Sequence, residues 1–251
     1  MDFQKFVKII RKDTEIITKR RHRNLFVRPR RGTKRFVKIP LKNSPELCFL
    51  SGSIIGDGHL KKVKFGITIE MTDKKILKLI KGKFESVFLL KLKMYKIRDK
   101  RSNRKLRWLL KFQSKAIWLL FTKVFGIPSG KKSDIVTVPQ IILNSQKREC
   151  KEQFISGLFL SDGGTSGKRI SFTFSNKRLC NEIKQILNQF GISCWISKWI
   201  HNVSKKRVFN IFISSKIDIK KFVVNFPLTK LKLQGYPSGL RGMRKDDSCY
   251  A

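Results

Sequence analysis

Residues 50–58 read LSGSIIGDG, and residues 155–163 read ISGLFLSDG. Both stretches are apolar runs interrupted by glycine and serine, and both end in an aspartate followed by a glycine. Ser44, followed by Pro45 and Glu46, is a typical helix start, so we expect the first stretch to lie in a helix that begins there. The second copy of the same pattern predicts a second, equivalent helix.

The similarity between the two copies continues when Asp57 is aligned with Asp162, an offset of 105 positions (162 − 57). Each aspartate precedes a segment of alternating apolar and polar residues, KKVKFGITIEM over residues 61–71 and KRISFTFS over residues 168–175, which is typical of a half-buried strand. A capped helix, two basic strand candidates and a closing apolar segment follow in each copy. The sequence therefore predicts an α+β fold of two duplicated units related by a pseudo-twofold axis, each with an antiparallel sheet.

The composition favours a nucleic acid as partner. The chain has 251 residues, with 57 Lys and Arg against 17 Asp and Glu, and its formal net charge of +40 requires a polyanion to offset it. No apolar run approaches the roughly 20 residues that span a bilayer, and the N-terminal sequence lacks the features of a signal peptide. We therefore expect an intracellular protein, in the cytoplasm, the nucleoid or an organelle matrix, with no membrane partner.

Four segments are expected along the chain. Residues 1–35 form a basic extension without a counterpart in the repeat, and their runs RRHR and RPRRGTKR predict a flexible arm that follows phosphates. Residues 36–145 and 146–236 form the two repeats. Residues 237–251, which have little apolar content, form a loosely ordered tail.

The two glycine-rich helices predict a paired acidic centre. Small residues on one face let two helices approach closely, which would bring Asp57 and Asp162 together at the helix C-termini. Gly58 and Gly163, which follow the acids, suit left-handed caps. Two carboxylates beside two negative dipole ends require a cation, and Mg²⁺ is the usual choice beside phosphates. Five cysteines without a CxxC pair and only three histidines argue against a zinc site.

The motifs LSGSIIGDG and ISGLFLSDG resemble the two signature motifs of single-chain LAGLIDADG homing endonucleases, and the resemblance covers residues 36–236. It implies αββαββα units whose curved sheets form a DNA-binding saddle. It also implies a monomer that cuts both strands of a long double-stranded DNA target and leaves short 3′ overhangs. The expected cofactor is Mg²⁺ or Mn²⁺, and Ca²⁺ is expected to support binding without cleavage.

The resemblance also assigns the residues of the centre. Asp57 and Asp162 correspond to the metal-binding acids, with the carbonyl groups of Gly56 and Ser161 as additional metal ligands. The family places one lysine from each half near the acids, which the sequence matches with Lys132 and with Lys232, five residues after a proline. Each lysine would polarise the attacking water or the scissile phosphate. The alternative for either lysine is a plain contact to a DNA phosphate.

The polar faces of the predicted strands carry the candidates for reading DNA bases. The alternative is that these side chains form a solvated face, but their position beside the paired acids favours contact with DNA. The candidates are Lys62, Lys64, Thr68, Glu70, Lys105, Arg107 and Lys111 in the first half, and Arg169, Ser171, Thr173 and Asn210 in the second.

Two other classes of function stay open at this point. A non-cleaving or bifunctional intron RNA maturase, or a nucleic-acid-binding regulator of the same fold, would have intron RNA or DNA as its partner without needing both acids. A ribosomal-type RNA-binding protein would explain the charge but not the duplicated helices. The chain ends lack protein-splicing residues, which predicts a free-standing or intron-encoded enzyme.

Overall fold

The structure is a computed structural model. It describes residues 3–17, 24–29, 36–97, 106–166, 168–200 and 207–233. The N-terminal part contains one helix and three strands, which pair in the antiparallel order β1-β2-β3. These elements are α1 (Phe3–Asp13), β1 (Thr14–Ile17), β2 (Asn24–Pro29) and β3 (Val37–Pro40).

The first repeat has the order αββαββα. Its strands form a four-stranded antiparallel sheet in the order β4-β5-β7-β6, and a one-turn π-helix over Leu120–Val124 extends its last helix. The elements are α2 (Pro45–Ile55), β4 (Gly58–Lys61), β5 (Gly66–Met71), α3 (Lys74–Phe88), β6 (Met94–Ile97), β7 (Arg107–Gln113) and α4 (Lys115–Leu119).

The second repeat has the same order, after a short connecting helix α5 (Gln140–Leu143). Its sheet order, β8-β9-β11-β10, matches the first sheet strand for strand. The elements are α6 (Arg148–Asp162), β8 (Gly163–Ser166), β9 (Arg169–Phe174), α7 (Lys177–Gln189), β10 (Trp195–Ile200), β11 (Arg207–Ile213) and α8 (Lys216–Asn225), followed by a 3₁₀ turn (Pro227–Thr229) and α9 (Lys230–Leu233). The predicted α+β duplication is confirmed.

Helices α2 and α6 lie at the centre of the molecule and pack against each other. Every residue of α2 from Leu47 to Ile55 is buried, and so is every residue of α6 from Phe154 to Ser161. Helices buried on all sides need no polar face, which explains why both motifs are apolar almost throughout. In the outer helices α3 and α7 only one side is buried.

The predicted strand over residues 61–71 is wrong in its first half. Residues Val63–Phe65 form a 3₁₀ turn that joins β4 to β5, and Lys61 is paired with Gly66 across this hairpin. Lys64 and Phe65 have φ angles of 57° and 47°, and Val63 is 76% exposed. Val63 continues the apolar alternation of the strand in the sequence, but in the structure it lies at the tip of a turn.

The prediction of a flexible N-terminal arm is wrong for the described part of the extension. Phe6 and Ile10 on α1 are fully buried, as is Ile39 on β3, because the helix and the small sheet pack onto the first repeat. The run RRHR, the residues 30–35 of the second basic run and the expected tail over residues 237–251 lie outside the described residues. In the described parts of the chain, the structure has no helix both long and apolar enough for a membrane crossing.

Candidate active site

Two glycines allow the backbones of α2 and α6 to touch. A Cβ atom on Gly52 would collide with the carbonyl group of Phe154 and would lie 2.8 Å from the backbone nitrogen of Leu158. A Cβ atom on Gly157 would collide with the carbonyl group of Phe49 in the reciprocal position. The two helices therefore run side by side in the same direction, at a separation that no other residue type permits at these positions.

Serine hydroxyl groups bridge the same contact. The Ser161 hydroxyl donates to the carbonyl oxygens of Ser53, at 3.3 Å, and Gly157, at 3.1 Å. The Ser53 hydroxyl lies 3.1 Å from the carbonyl oxygen of Phe49 and 3.5 Å from that of Gly157. These polar side chains stay satisfied without water because the close approach brings backbone acceptors within reach.

The helix contact brings the two acids to the same place. Asp57 follows the last turn of α2, and Asp162 is the last residue of α6. A Cβ atom on Gly56 would collide with the side chain of Ser161 and would lie 3.3 Å from the backbone nitrogen of Asp162. The C-terminal ends of α2 and α6 thus touch, and their negative dipole ends coincide beside two carboxylates.

The prediction of left-handed caps at Gly58 and Gly163 is wrong. Gly163 has a φ of −72°, and Gly58 is not among the described glycines with positive φ. Space is the reason for glycine at both positions. A Cβ atom on Gly58 would lie 2.5 Å from the Cα of Ile54, and one on Gly163 would collide with the ring of Phe159. Because glycine follows each acid, the next strand, β4 or β8, can begin in direct contact with the helix that precedes it.

Lys132 reaches the end of α2 from the loop after the first repeat's last helix. Its ammonium group donates to the carbonyl oxygens of Ile54, Gly56, at 2.8 Å, and Gly58, at 2.6 Å. The carbonyl groups of Ile54 and Gly56 are among those that the end of a helix leaves without a partner, and Gly58 is the first residue of β4. A cation at this position also opposes the negative end of the helix dipole.

Lys232 occupies the equivalent position at the end of α6. Its ammonium group donates to the carbonyl oxygens of Phe159, at 3.3 Å, Leu160, at 3.1 Å, and Ser161, at 2.8 Å. Two lysines of the chain therefore place positive charge beside the two acids. The carbonyl groups of Gly56 and Ser161, expected as metal ligands, accept hydrogen bonds from these lysines.

Burial raises the pKa values of both acids. The pKa of Asp57 is raised to about 7, first by loss of water around its carboxyl group and then by the charge of Asp162, against the opposing effect of Lys232 and Lys132. Burial likewise raises the pKa of Asp162, again against the two lysines. In both acids burial thus favours the protonated form, whereas the two lysines favour the charged form.

The two lysines are shifted towards neutrality as well. Burial lowers the pKa of Lys132 to about 8, although Asp162 and Asp57 favour its charged form. Burial also lowers the pKa of Lys232, with the two acids again opposing. Four groups with perturbed pKa values at one point are a typical arrangement for proton transfer and charge stabilisation.

The centre offers oxygen ligands for a divalent metal. Over the described residues, no three or more His, Cys, Asp or Glu side chains come together as a metal site. The available set is the two carboxylates together with backbone carbonyl groups at the helix ends. Hard oxygen donors in small number fit Mg²⁺, which keeps several waters and binds phosphate oxygens.

The polar face of the first sheet combines charged and hydroxyl side chains. Thr68 pairs with Lys111 across β5 and β7, and Glu70 forms a 2.5 Å ion pair with Arg107 on the same face. Lys62 and Lys64 are exposed but lie at the hairpin turn and not on a strand. A further candidate, Lys105, lies outside the described residues.

The sequence analysis missed a residue between this face and the centre. His59 on β4 is paired with Thr68, two positions after Asp57. Its pKa is lowered by burial and by the nearby charges of Lys61 and Lys132, which favour the neutral imidazole. In the sequence, His59 could have been identified by its position directly after Asp57 and Gly58.

The polar face of the second sheet carries the four predicted candidates. The Thr173 hydroxyl donates to the side-chain oxygen of Asn210 at 2.7 Å, between paired strands. Arg169 and Ser171 lie on the same face of β9 by alternation. The structure brings these four residues together on one surface beside the end of α6.

Large aromatic side chains on the second face were missed. Trp195 and Trp199 on β10 are 41% and 40% exposed, and the ring of Phe212 lies 4.7 Å from that of Trp195. The Arg169 guanidinium lies 5.7 Å from the Trp195 ring. The alternation in CWISKWI, residues 194–200, would have placed both tryptophans on the same side of a strand.

Known proteins share this fold. The family model described as LAGLIDADG-like domain matches residues 149–226. The solved complex of I-DmoI with DNA and Mn is similar over 72% of this chain and 96% of its own, with a TM-score of 0.53 and 21% identity. The complex of I-DmoI with DNA and Ca covers 76% and 98%, with a TM-score of 0.53 and 19% identity.

A third solved structure, the N-terminal LAGLIDADG domain of DUF199/WhiA, covers 73% of this chain and 82% of its own, with a TM-score of 0.50 and 16% identity. No curated protein matches this chain in sequence. The structural matches extend over both repeats, whereas the family model covers the second.

Proposed function

Because residues 149–226 match the LAGLIDADG-like domain model and the chain carries the motifs LSGSIIGDG and ISGLFLSDG in two repeats, we propose that it is a LAGLIDADG protein and a site-specific, metal-dependent DNA endonuclease. Its substrate is a long double-stranded target, in which it hydrolyses one phosphodiester on each strand and leaves short 3′ overhangs. The observation that carries the proposal is the meeting of two carboxylates and two lysines at one point, between two polar sheet faces.

Asp57 and Asp162 would hold the metal, Mg²⁺ or Mn²⁺. Complexes of I-DmoI solved with DNA and Mn or with DNA and Ca support the use of divalent cations. We expect Ca²⁺ to sustain binding without cleavage. When bound, such a cation activates water and stabilises charge on a phosphodiester. The raised pKa values of the acids mean that they bind the cation only after losing their protons, which favours neutral to alkaline pH.

Lys132 and Lys232 would act on the phosphodiesters. The pKa of Lys132 is about 8, so its side chain carries a proton at neutral pH. Lys132 and Lys232 each donate hydrogen bonds at the helix end where the acids meet. An ammonium group fixed in this position stabilises the extra negative charge of a pentacoordinate phosphate. For the carbonyl groups of Gly56 and Ser161 to bind a metal, the lysines must release them, so we propose that each lysine turns from carbonyl to phosphate when DNA and metal bind.

The partner of the two sheet faces is duplex DNA. The faces lie on the two repeats to either side of the acids, so one chain covers both half-sites and acts as a monomer with an internal pseudo-dimer. A substrate of this kind places the protein inside the cell, where DNA is. Both acids are present, which keeps the nuclease ahead of the non-cleaving alternative.

The test is to incubate the protein with long genomic duplexes and Mg²⁺ or Ca²⁺, and to sequence every new end. Asp57→Asn and Asp162→Asn are treated in parallel, with Lys131→Gln as a control on an exposed neighbouring lysine. Recurrent double-strand ends with a 3′ overhang, present in Mg²⁺ and absent in Ca²⁺ and in both acid variants, are expected. Duplex binding without any cut in Mg²⁺ or Mn²⁺ would overturn the proposal.

A further inference from the structure

The loop that carries Lys132 is held by both repeats. We name it the Lys132 loop and define it as residues 125–139, between the π-helix of the first repeat and α5. On the side of the first repeat, the backbone nitrogen of Gly130 donates to the carbonyl oxygen of Leu60 on β4 at 2.9 Å, and the Lys132 ammonium group caps α2. The later part of the loop contacts the second repeat.

Two side chains of the second repeat bind the backbone of the Lys132 loop. The carboxylate of Glu182, on α7, accepts a hydrogen bond from the backbone nitrogen of Val138 at 2.8 Å. The side-chain amide of Asn176, the residue that caps α7, donates to the carbonyl oxygen of Val136 at 2.7 Å. Val136 and Val138 are 3% and 0% exposed. Buried backbone groups need a partner within the protein, so the loop depends on α7 at both positions.

Glu182 is buried although it is charged. It is 9% exposed, and its other oxygen accepts a hydrogen bond from the Arg178 guanidinium at 2.9 Å. A buried carboxylate is costly unless its oxygens are bonded. The helix itself does not require an acid at this position, because Leu79 lies six residues after the N-cap Asp73 of α3 (79 − 73), as Glu182 does after Asn176 (182 − 176). The carboxylate therefore serves the contact with the loop.

The part of the loop that α7 holds is joined to Lys132 by a turn. The backbone nitrogen of Val136 donates to the carbonyl oxygen of Lys132 at 2.9 Å, and that of Ile135 donates to the same oxygen at 3.1 Å. A displacement of Val136 therefore moves the backbone from which the Lys132 side chain extends. The carboxylates that shift the pKa of Lys132 are the two acids of the centre, so Glu182 acts on this lysine through the loop and not through its charge.

The lysine of the second repeat is placed differently. Lys232 lies on α9, which follows the 3₁₀ turn Pro227–Thr229, and this turn packs against α6 of the same repeat. The Lys132 loop instead connects its own repeat to α7 of the other one. A change in the contact between α7 and the loop should therefore displace Lys132 and leave Lys232 in place.

We propose that Glu182 is a positioning residue for Lys132, because its carboxylate holds the loop from which this lysine reaches the end of α2. Asn176 supports the same function at Val136. The second repeat thus fixes the lysine of the first, and α7 couples the two halves of the centre in addition to the contact between α2 and α6. The role of Glu182 in the reaction rests on the proposed DNA cleavage, whereas its contact with the loop does not.

The experiment measures the cleavage of each DNA strand separately. A duplex that contains a target recovered by sequencing the cut ends carries a different label on each strand, and it is cut in Mg²⁺ with the protein in excess. Glu182→Leu gives α7 the residue type that α3 has at the equivalent position. Asn176→Asp keeps an oxygen that caps α7 but removes the donor to Val136. Glu149→Leu makes the same exchange at an exposed carboxylate on α6 and is the matched control.

Glu182→Leu and Asn176→Asp are expected to slow the strand that Lys132→Met slows, by roughly 10-fold, because a small misplacement of a catalytic group has a large effect on rate. The strand that Lys232→Met slows should change less than about 2-fold in both variants, since distant sites act independently. Nicked duplex should therefore accumulate. Affinity for the duplex in Ca²⁺ should stay unchanged, because neither residue lies on a strand. Glu149→Leu should leave both strands and the affinity unchanged.

A second measurement does not depend on cleavage. Melting temperatures are compared for Glu182→Leu, Lys132→Met, Lys232→Met and the two double variants that contain Glu182→Leu. The shift of the double variant with Lys132→Met should be smaller than the sum of the two single shifts, because both changes break the same support. The shifts of Glu182→Leu and Lys232→Met should add.

Three outcomes would overturn the inference. The first is equal slowing of both strands by Glu182→Leu, which would reduce the effect to a general loss of structure. The second is slowing of the strand that Lys232→Met slows. The third is additive melting shifts for Glu182→Leu and Lys132→Met. If the unaltered chain cuts no duplex, the proposed nuclease fails, while the melts of the double variants still decide whether Glu182 holds the lysine.

Discussion

In the first repeat the sheet face of the saddle carries Thr68 and Glu70 on β5 and Arg107 and Lys111 on β7. In the second repeat Trp195 and Trp199 lie on the edge strand β10, beside Arg169, Ser171, Thr173 and Asn210 on β9 and β11. The sheets behind these faces have the same strand order, and one lysine donates to carbonyl groups at the end of each central helix. The largest difference lies where side chains face outwards. Packing between α2 and α6 fixes the centre in both halves, while the exposed faces are free to diverge.

This difference in exposed side chains indicates which groups of DNA each half is suited to contact. Charged side chains such as Arg107 and Lys111 suit guanine edges and phosphates, and exposed apolar rings suit thymine methyl groups. Under the proposed function, the two half-sites are therefore expected to differ in sequence although the two halves of the centre are alike.

The largest effect is expected from breaking the shared centre on one side at a time. Asp57→Asn and Asp162→Asn should each reduce double-strand cleavage by roughly 10²-fold or more, as for loss of one preorganised electrostatic group. Because each change removes one of two like charges at the helix ends, the free energy of unfolding should rise, by about 0.5 kcal/mol. Cleavage rates measure the first effect, and denaturant melts measure the second. A lower free energy of unfolding in either variant would contradict repulsion between the carboxylates and the helix ends.

The helix contact is the next most sensitive feature, and it should respond equally from both halves. Gly52→Ala and Gly157→Ala should each lower the free energy of unfolding by about 1–3 kcal/mol, the range for overpacking. Gly82 on α3 has nothing within 4 Å of a Cβ position, so Gly82→Ala should instead stabilise by about 1 kcal/mol. Urea titration measures all three. A tolerated Gly157→Ala would show that the two backbones are farther apart.

The lysine contacts sharpen the comparison between the helix ends. Lys132 donates at 2.6 and 2.8 Å, whereas two of the three contacts of Lys232 are longer than 3.0 Å. Lys132→Met should therefore destabilise more than Lys232→Met, within the roughly 1.5–3 kcal/mol typical of hydrogen bonds to charged groups. Lys131, which is 75% exposed, gives the control Lys131→Met with little change. Equal losses of stability in Lys131→Met and Lys132→Met would show that Lys132 does not cap α2.

The pH dependence follows from the raised pKa of Asp57. Its pKa rises from an ordinary value of 3.8 to about 7 in the folded chain, so the folded state binds more protons than the unfolded state between these values. Stability should therefore fall as pH rises from about 4 to 7. Asp57→Asn should flatten this slope, and urea melts at several pH values measure it. An identical slope in the variant would mean that Asp57 titrates normally.

The smallest expected effect separates the two reading faces by their salt dependence. Lys111→Gln should reduce the slope of log affinity against log salt by about 1, because one phosphate contact is lost. Trp195→Ala should leave the slope unchanged and weaken discrimination in the second half-site only. Duplex binding in Ca²⁺ at several salt concentrations gives both numbers. A reduced slope for Trp195→Ala would contradict the difference between the faces.

The repetition in the sequence was sufficient to predict the duplicated fold. Alternation placed β5 and β9 correctly because both strands have one buried face. The alternation rule failed at Val63, because the turn Val63–Phe65 happens to have the same alternation of apolar and polar residues as a strand. The N-terminal extension was mispredicted since its charged residues outnumber the few buried ones, such as Phe6 and Ile10.

The centre was only partly predictable. The pairing of Asp57 with Asp162 follows from the repeated motif, but the reason for the glycines does not. Contact between Gly163 and the Phe159 ring depends on the path of the following strand. The lysine contacts join residues more than 70 positions apart, so local patterns carry no information on the carbonyl groups that Lys132 and Lys232 reach.

Cleavage selection from a library of duplexes with both half-sites randomised would test the account most directly. The protein is incubated with the library in Mg²⁺, and the sequences on each side of every cut are read. The account predicts cuts at one spacing, flanked by two unlike half-sites, with guanine contacts in the half bound by the first repeat and thymine-rich positions in the other. Palindromic half-sites, or cuts that persist in Asp57→Asn, would contradict it.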